Sequence, residues 1–148
     1  LYVDLDADGT QIVNRFSRAE RIRIAANLRH DQLDDEISEA TLADPDAAMP
    51  FGDALRVLWK LTLALCAQRD RVRGKPEPRF KTDFAFYVEG EQVRIVPRRR
   101  DLPIDRIVAE MMILANSEWG LLLAEHAVPG IYRAQQGGHP GQQSLGGH

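Results

Sequence analysis

Two stretches of this 148-residue chain hold residue types that could do chemistry. The first is VDLDADGTQI, Val3 to Ile12, where Asp4, Asp6 and Asp8 precede Gly9 in the manner of a calcium loop. An EF-hand needs oxygen ligands at loop positions 1, 3 and 5, glycine at 6 and a bidentate glutamate at 12. Here the twelfth place is Arg15, the eighth is Gln11 rather than an apolar anchor, and no helical pattern precedes Leu1. Asp8-Gly9 reads instead as a hairpin turn, glycine supplying the positive φ that a tight reversal demands. The second stretch holds Arg94, Arg98, Arg99, Arg100 and Arg106, which flank a turn that opens a helix. Guanidinium groups and free backbone N–H groups would meet a phosphate together there. The alternative is that Arg98 to Arg100 pair with Asp101, Asp105 and an acidic loop upstream.

Other candidates carry less. Cys66 is the single cysteine and sits in the apolar run WKLTLALCAQ, so it forms no internal disulfide and reads as a small core residue. His139 and His148 lie nine apart without neighbouring carboxylates or thiols, which is no metal-ligand spacing. Phe84, Phe86 and Tyr87 offer stacking faces, although alternating aromatics in a hairpin read first as core. Glu110 is placed to cap a helix or to pair with Arg106 four residues earlier.

These residues need elements to position them. With 44% hydrophobic residues the chain is one ordinary domain, or part of one, with a real core. No unbroken apolar run nears the roughly 18 residues of a membrane span, and the start lacks the features of a secretory signal, so a cytoplasmic protein with no membrane partner is expected. The net charge of −3 hides a segregation: carboxylates without Lys or Arg from His30 to Asp53, and abundant Arg from Arg69 to Arg106. Such patterning suits an anionic partner or a solvated face.

Periodicity predicts a hairpin over Leu1 to Phe16, with Arg21-Ile22-Arg23-Ile24 continuing the strand alternation, or helical from Arg18 to Ala26. A short helix is expected from about His30 to Ser38, with Leu33 and Ile37 on one face, followed by a surface loop through EATLADPDAAMPFGD. Leu55, Leu58, Trp59, Thr62, Leu63, Leu65 and Cys66 predict a long helix from about Phe51 to Val72, stopped by Gly74-Lys75-Pro76. FAFYVEGEQVRIV reads as a second hairpin turning at Glu89-Gly90-Glu91. A last helix starts near Pro103, with Asp101 as N-cap, and carries a wide apolar face. The sum is an α+β fold of antiparallel or mixed β-hairpins packed against two long helices, residues 1–135, with a flexible Gly/Gln-rich tail over 136–148.

Within Arg94 to Gln135 the residues Val108, Glu110, Met112, Ala115, Asn116, Pro129, Tyr132 and Arg133 follow a pattern: I-x-E-x-M-x-x-A-N on a helix after a strand and a basic turn, then a proline and a Tyr-Arg pair. This segment resembles the catalytic domain of the ribonuclease II and ribonuclease R family, the RNB domain of 3′→5′ exoribonucleases. The upstream order of a DG hairpin, RIRI, a short helix, an acidic loop, a long helix and an F-x-F hairpin is similar to that family as well.

The resemblance implies hydrolysis of single-stranded RNA, with Arg98, Arg99, Arg100, Arg106, His30, Glu110, Tyr132 and Arg133 along the RNA path. His30 stands where the family has a tyrosine, Ala109 where it has the first of two glutamates, and Gln135 where a histidine commonly follows Tyr-Arg-x. The family's magnesium-binding aspartates precede the region seen here and its phosphate-contacting arginine follows it, so Mg2+ ligands and catalytic residues are expected outside this stretch. Oligonucleotide-binding domains are expected to flank it. A non-catalytic RNA-binding or interaction module that kept the fold is the alternative reading, and a purely structural module is the third.

Overall fold

The computed structural model describes residues 1–28, 33, 36–76, 82–99 and 102–131. Its elements run β1 (Tyr2–Leu5), β2 (Ile12–Phe16), α1 (Glu39–Ala43), α2 (Gly52–Arg73), β3 (Thr82–Glu89), β4 (Gln92–Arg99) and α3 (Pro103–Glu125). The strands form two separate two-stranded antiparallel sheets, and with the helices they make the expected α+β fold. The chain divides into two compact units, Leu1–Ala115 and Asn116–His148.

In the first unit the turn between β1 and β2 closes on an aspartate. Asp6 accepts hydrogen bonds from the amides of Thr10 (2.8 Å) and Gln11 (3.0 Å), and its own amide donates to the Gln11 carbonyl (2.9 Å). Gly9 takes the positive φ, 72°, that the turn requires. At the open end, Tyr2 and Phe16 pair across the strands with rings stacked 4.8 Å apart. The expected third strand is not formed: residues 17–28 carry no strand, and Ile22 and Ile24 are exposed. A period-2 pattern makes a strand only where a neighbour supplies the ladder, and none lies beside it among the described residues.

The core gathers Leu33, Ile37, Leu42, Leu55, Trp59, Ile104 and Ile107. Leu33 and Ile37 are the apolar pair four apart; Leu33 is helical, its carbonyl accepting from the Ile37 amide (2.9 Å), while most of the surrounding segment lies outside the described residues. The acidic stretch is not all loop. Ser38 starts α1 through a reciprocal cap, its Oγ accepting from the Thr41 amide (3.1 Å) while its own amide donates to Thr41 Oγ1 (2.9 Å). Leu42 then reaches the core. Arg56 ties the following loop to α2, donating to the carbonyls of Asp44 (3.1 Å) and Ala47 (2.6 Å).

α2 ends at Gly74, φ 73°, as the Gly-Lys-Pro signal indicates. β3 and β4 pair in full register from Thr82↔Arg99 to Glu89↔Gln92, with Gly90 at φ 64° opening a two-residue turn. Phe84↔Pro97, Phe86↔Ile95 and Val88↔Val93 lie on one face. The expectation that its aromatics are core is corrected: Phe84, Phe86 and Tyr87 are exposed, and on the other face Arg94 lies 5.2 Å over the Tyr87 ring. Alternation sets which side chains share a face, but burial also needs a surface opposite.

α3 packs Pro103, Ile104, Ile107 and Glu110 inward at its start. Its later turns show Trp119, Leu121, Leu122 and Leu123 exposed. By length and composition α3 also qualifies as a membrane-spanning helix, contrary to the count of unbroken apolar runs, because Glu110 and Glu118 interrupt the run without lowering the average much. It ends with Ala127 at φ 52°, the Val128 amide reaching back to the Leu123 carbonyl (2.9 Å) and that of Ala127 to Ala124 (3.1 Å), ahead of Pro129.

Candidate nucleic-acid interface

Helical spacing assembles the site. On α2, Trp59, Cys66 and Arg69 are separated by seven and three residues, so they share one face. On α3, Arg106 and Glu110 are one turn apart, and Glu39 stands in the first turn of α1. All belong to the first unit.

Glu110 is almost fully buried, at 4% exposure, and both carboxylate oxygens are taken by Arg69. Nη1 donates to Oε2 at 2.8 Å and Nη2 to Oε1, the fork-on-fork geometry that suits guanidinium and carboxylate. Arg69 Nη2 also lies 3.9 Å from Cys66 Sγ. The expectation of a Glu110–Arg106 pair is therefore corrected. An Arg placed N-terminal to Glu at this spacing is the weaker orientation within a helix, and Arg69 reaches across from α2 with two donors. Arg69 is the functional-looking residue that the sequence reading missed; its signal is a charge standing on the apolar side of a long helix.

Arg106 rests beside the core. Its guanidinium sits 5.0 Å over the ring of buried Trp59, and Nη1 is 3.6 Å from Glu39 Oε1. Burial pushes the Cys66 thiol above its ordinary range; a hydrogen bond from Arg106 opposes this and the charge of Glu110 adds to it. The thiol is therefore protonated at neutral pH and is no nucleophile.

Of the other residues assigned to RNA, the backbone of Arg98 and Arg99 closes β4 opposite Asp83 and Thr82. Their side chains, and His30, Arg100, Tyr132 and Arg133 altogether, lie outside the described residues.

The carboxylates of the described residues do not fit a metal. Asp6 spends its oxygens on the loop, Asp4 accepts from Asn14 (2.9 Å), and among the described residues no group of three His, Cys, Asp or Glu converges. The Gln11 amide, then that of Thr10, holds the Asp6 carboxyl below the usual aspartate value of 3.8. A lowered folded value means that the closure is fully present above that ordinary value and is lost as pH falls through the lowered one. Amide resonances of Thr10 and Gln11 should accordingly shift together with a midpoint under 3.8. A midpoint at or above it would show that the carboxylate does not close the loop.

The sequence model of the RNB domain matches residues 1–144. The chain belongs to the RNB family. That family is one of ribonucleases that hydrolyse RNA, and its nucleases are generally metal-dependent. No curated protein and no solved structure matches the chain.

Proposed function

We propose that this chain is part of a 3′→5′ exoribonuclease of the ribonuclease II type, acting on single-stranded RNA and supplying side chains to the RNA channel. The observation that carries the reading is the RNB match over residues 1–144. In this reading the magnesium-binding aspartates, the scissile-phosphate arginine and flanking oligonucleotide-binding domains lie outside residues 1–148, and the setting is cytoplasmic. Arg106 and the basic turn at Arg98 to Arg100 meet the RNA backbone, joined by His30, Tyr132 and Arg133. Because Glu110 is buried against Arg69, its contribution is to hold α3 in place rather than to read a ribose.

The test is binding of a labelled single-stranded RNA between about 50 and 200 mM salt, where log affinity should fall linearly with log salt as counterions are released. Arg106→Gln should reduce the slope by about one. Absent or salt-independent binding would overturn the reading. With magnesium added, 5′-labelled RNA should stay intact on a denaturing gel. Progressive shortening would instead place a working metal centre within the chain.

A further inference from the structure

Arg106 is approached on one face by the Trp59 ring, at 5.0 Å, and at its Nη1 edge by the Glu39 carboxylate, at 3.6 Å. The two neighbours differ in kind. Trp59 is buried in the core, whereas the Glu39 side chain is 66% exposed and that of Arg106 22%, so the carboxylate stands largely in solvent and the guanidinium is partly open to it. At 3.6 Å the carboxylate is an ion-pair partner that lacks hydrogen-bond geometry. The backbone under Glu39 is held by the Ser38–Thr41 cap and by buried Leu42, which leaves the carboxylate as the movable part of the contact.

We infer that Glu39 is a displaceable placeholder for an RNA backbone phosphate at Arg106, an internal anion that the substrate must replace. The inference rests on the RNA-binding reading given above and adds to it a competitor and a platform. A phosphate diester brings one negative charge and two free oxygens, which match a guanidinium edge better than a single distant carboxylate oxygen. Trp59 keeps the guanidinium plane in place during the exchange, so Arg106 need not be reordered when RNA arrives. An exposed ion pair is weak, and its displacement lowers RNA affinity without preventing binding. The same carboxylate discourages ligands that cannot bring a charge to replace it.

The test is anisotropy of a labelled single-stranded RNA with the full chain at low salt. Glu39→Gln should tighten binding about two- to fivefold, with the gain shrinking as salt rises. In an Arg106→Gln background the same change should give no gain, whereas Arg106→Lys, which keeps the charge, should preserve part of it. Asp8→Asn, at the tip of the β1–β2 loop, removes an equal charge elsewhere and should leave affinity unchanged. RNA binding that Glu39→Gln does not tighten, a gain that persists in Arg106→Gln, or an equal gain from Asp8→Asn would each overturn the inference while leaving RNA binding itself standing. If no variant binds RNA at low salt, the placeholder and the RNA-binding reading fall together.

Discussion

Arg69→Ala is expected to lower the free energy of unfolding by about 3–5 kcal/mol, because it leaves the Glu110 carboxylate buried with no partner. The size follows from asymmetry rather than from any large net value of the pair. Bringing both charges out of water costs energy that their attraction offsets only when the two-point geometry is complete. Arg69→Met with Glu110→Leu, which removes both charges and keeps the volume, should therefore recover most of the loss. Urea unfolding of the single and double variants decides between the two accounts. A single variant that costs under about 1 kcal/mol would mean that water reaches Glu110 and that the pair behaves as a surface one. A double variant as unstable as the single would mean that the polar row between α2 and α3 is needed as such.

Trp59→Ala is expected to cost about 3–5 kcal/mol through the cavity left among Leu55, Ile104 and Ile107. It also removes the surface on which Arg106 rests. A second effect should follow: Arg106→Gln, mildly destabilising in the native chain, should become nearly neutral once Trp59 is gone, with a coupling of about 0.5–2 kcal/mol. Trp59→Phe should keep much of the packing and part of the coupling. Thermal or urea unfolding of the four-member cycle reads both numbers. Additive behaviour would show that Arg106 owes its position to something other than the ring.

Most local signals in the sequence were reliable. Gly9, Gly74 and Gly90 mark turns because each must take a positive φ, and all three do. The three- and four-residue recurrence of Leu55, Trp59 and Thr62 fixes the inward face of α2 without reference to anything else. Most of what stayed hidden depends on distant partners. RIRI has strand alternation but no adjoining ladder among the described residues, so it forms no strand. Helix α1 escaped because its cap uses Thr41 at the third position, where the familiar box has Glu or Gln. The partner of Glu110 lies 41 residues away on another helix, beyond any spacing rule. The Arg106 edge was legible as a charge beside a basic turn, but the tryptophan under it and the carboxylate beside it were not, since neither is near it in the chain.

The β3–β4 hairpin owes its two-faced character to the pairing register set at its turn. With two residues, Gly90 and Glu91, between Glu89 and Gln92, Phe84, Phe86 and Val88 meet Pro97, Ile95 and Val93 on one face, while Tyr87 meets Arg94 on the other. Side chains alternate with a period of two, so a slip of β4 by one residue against a fixed β3 would carry Arg94 and Gln92 round to the oily side and send Ile95 and Val93 to the other. The pairing register fixed at this one reversal thus sets the wetting of an entire ribbon.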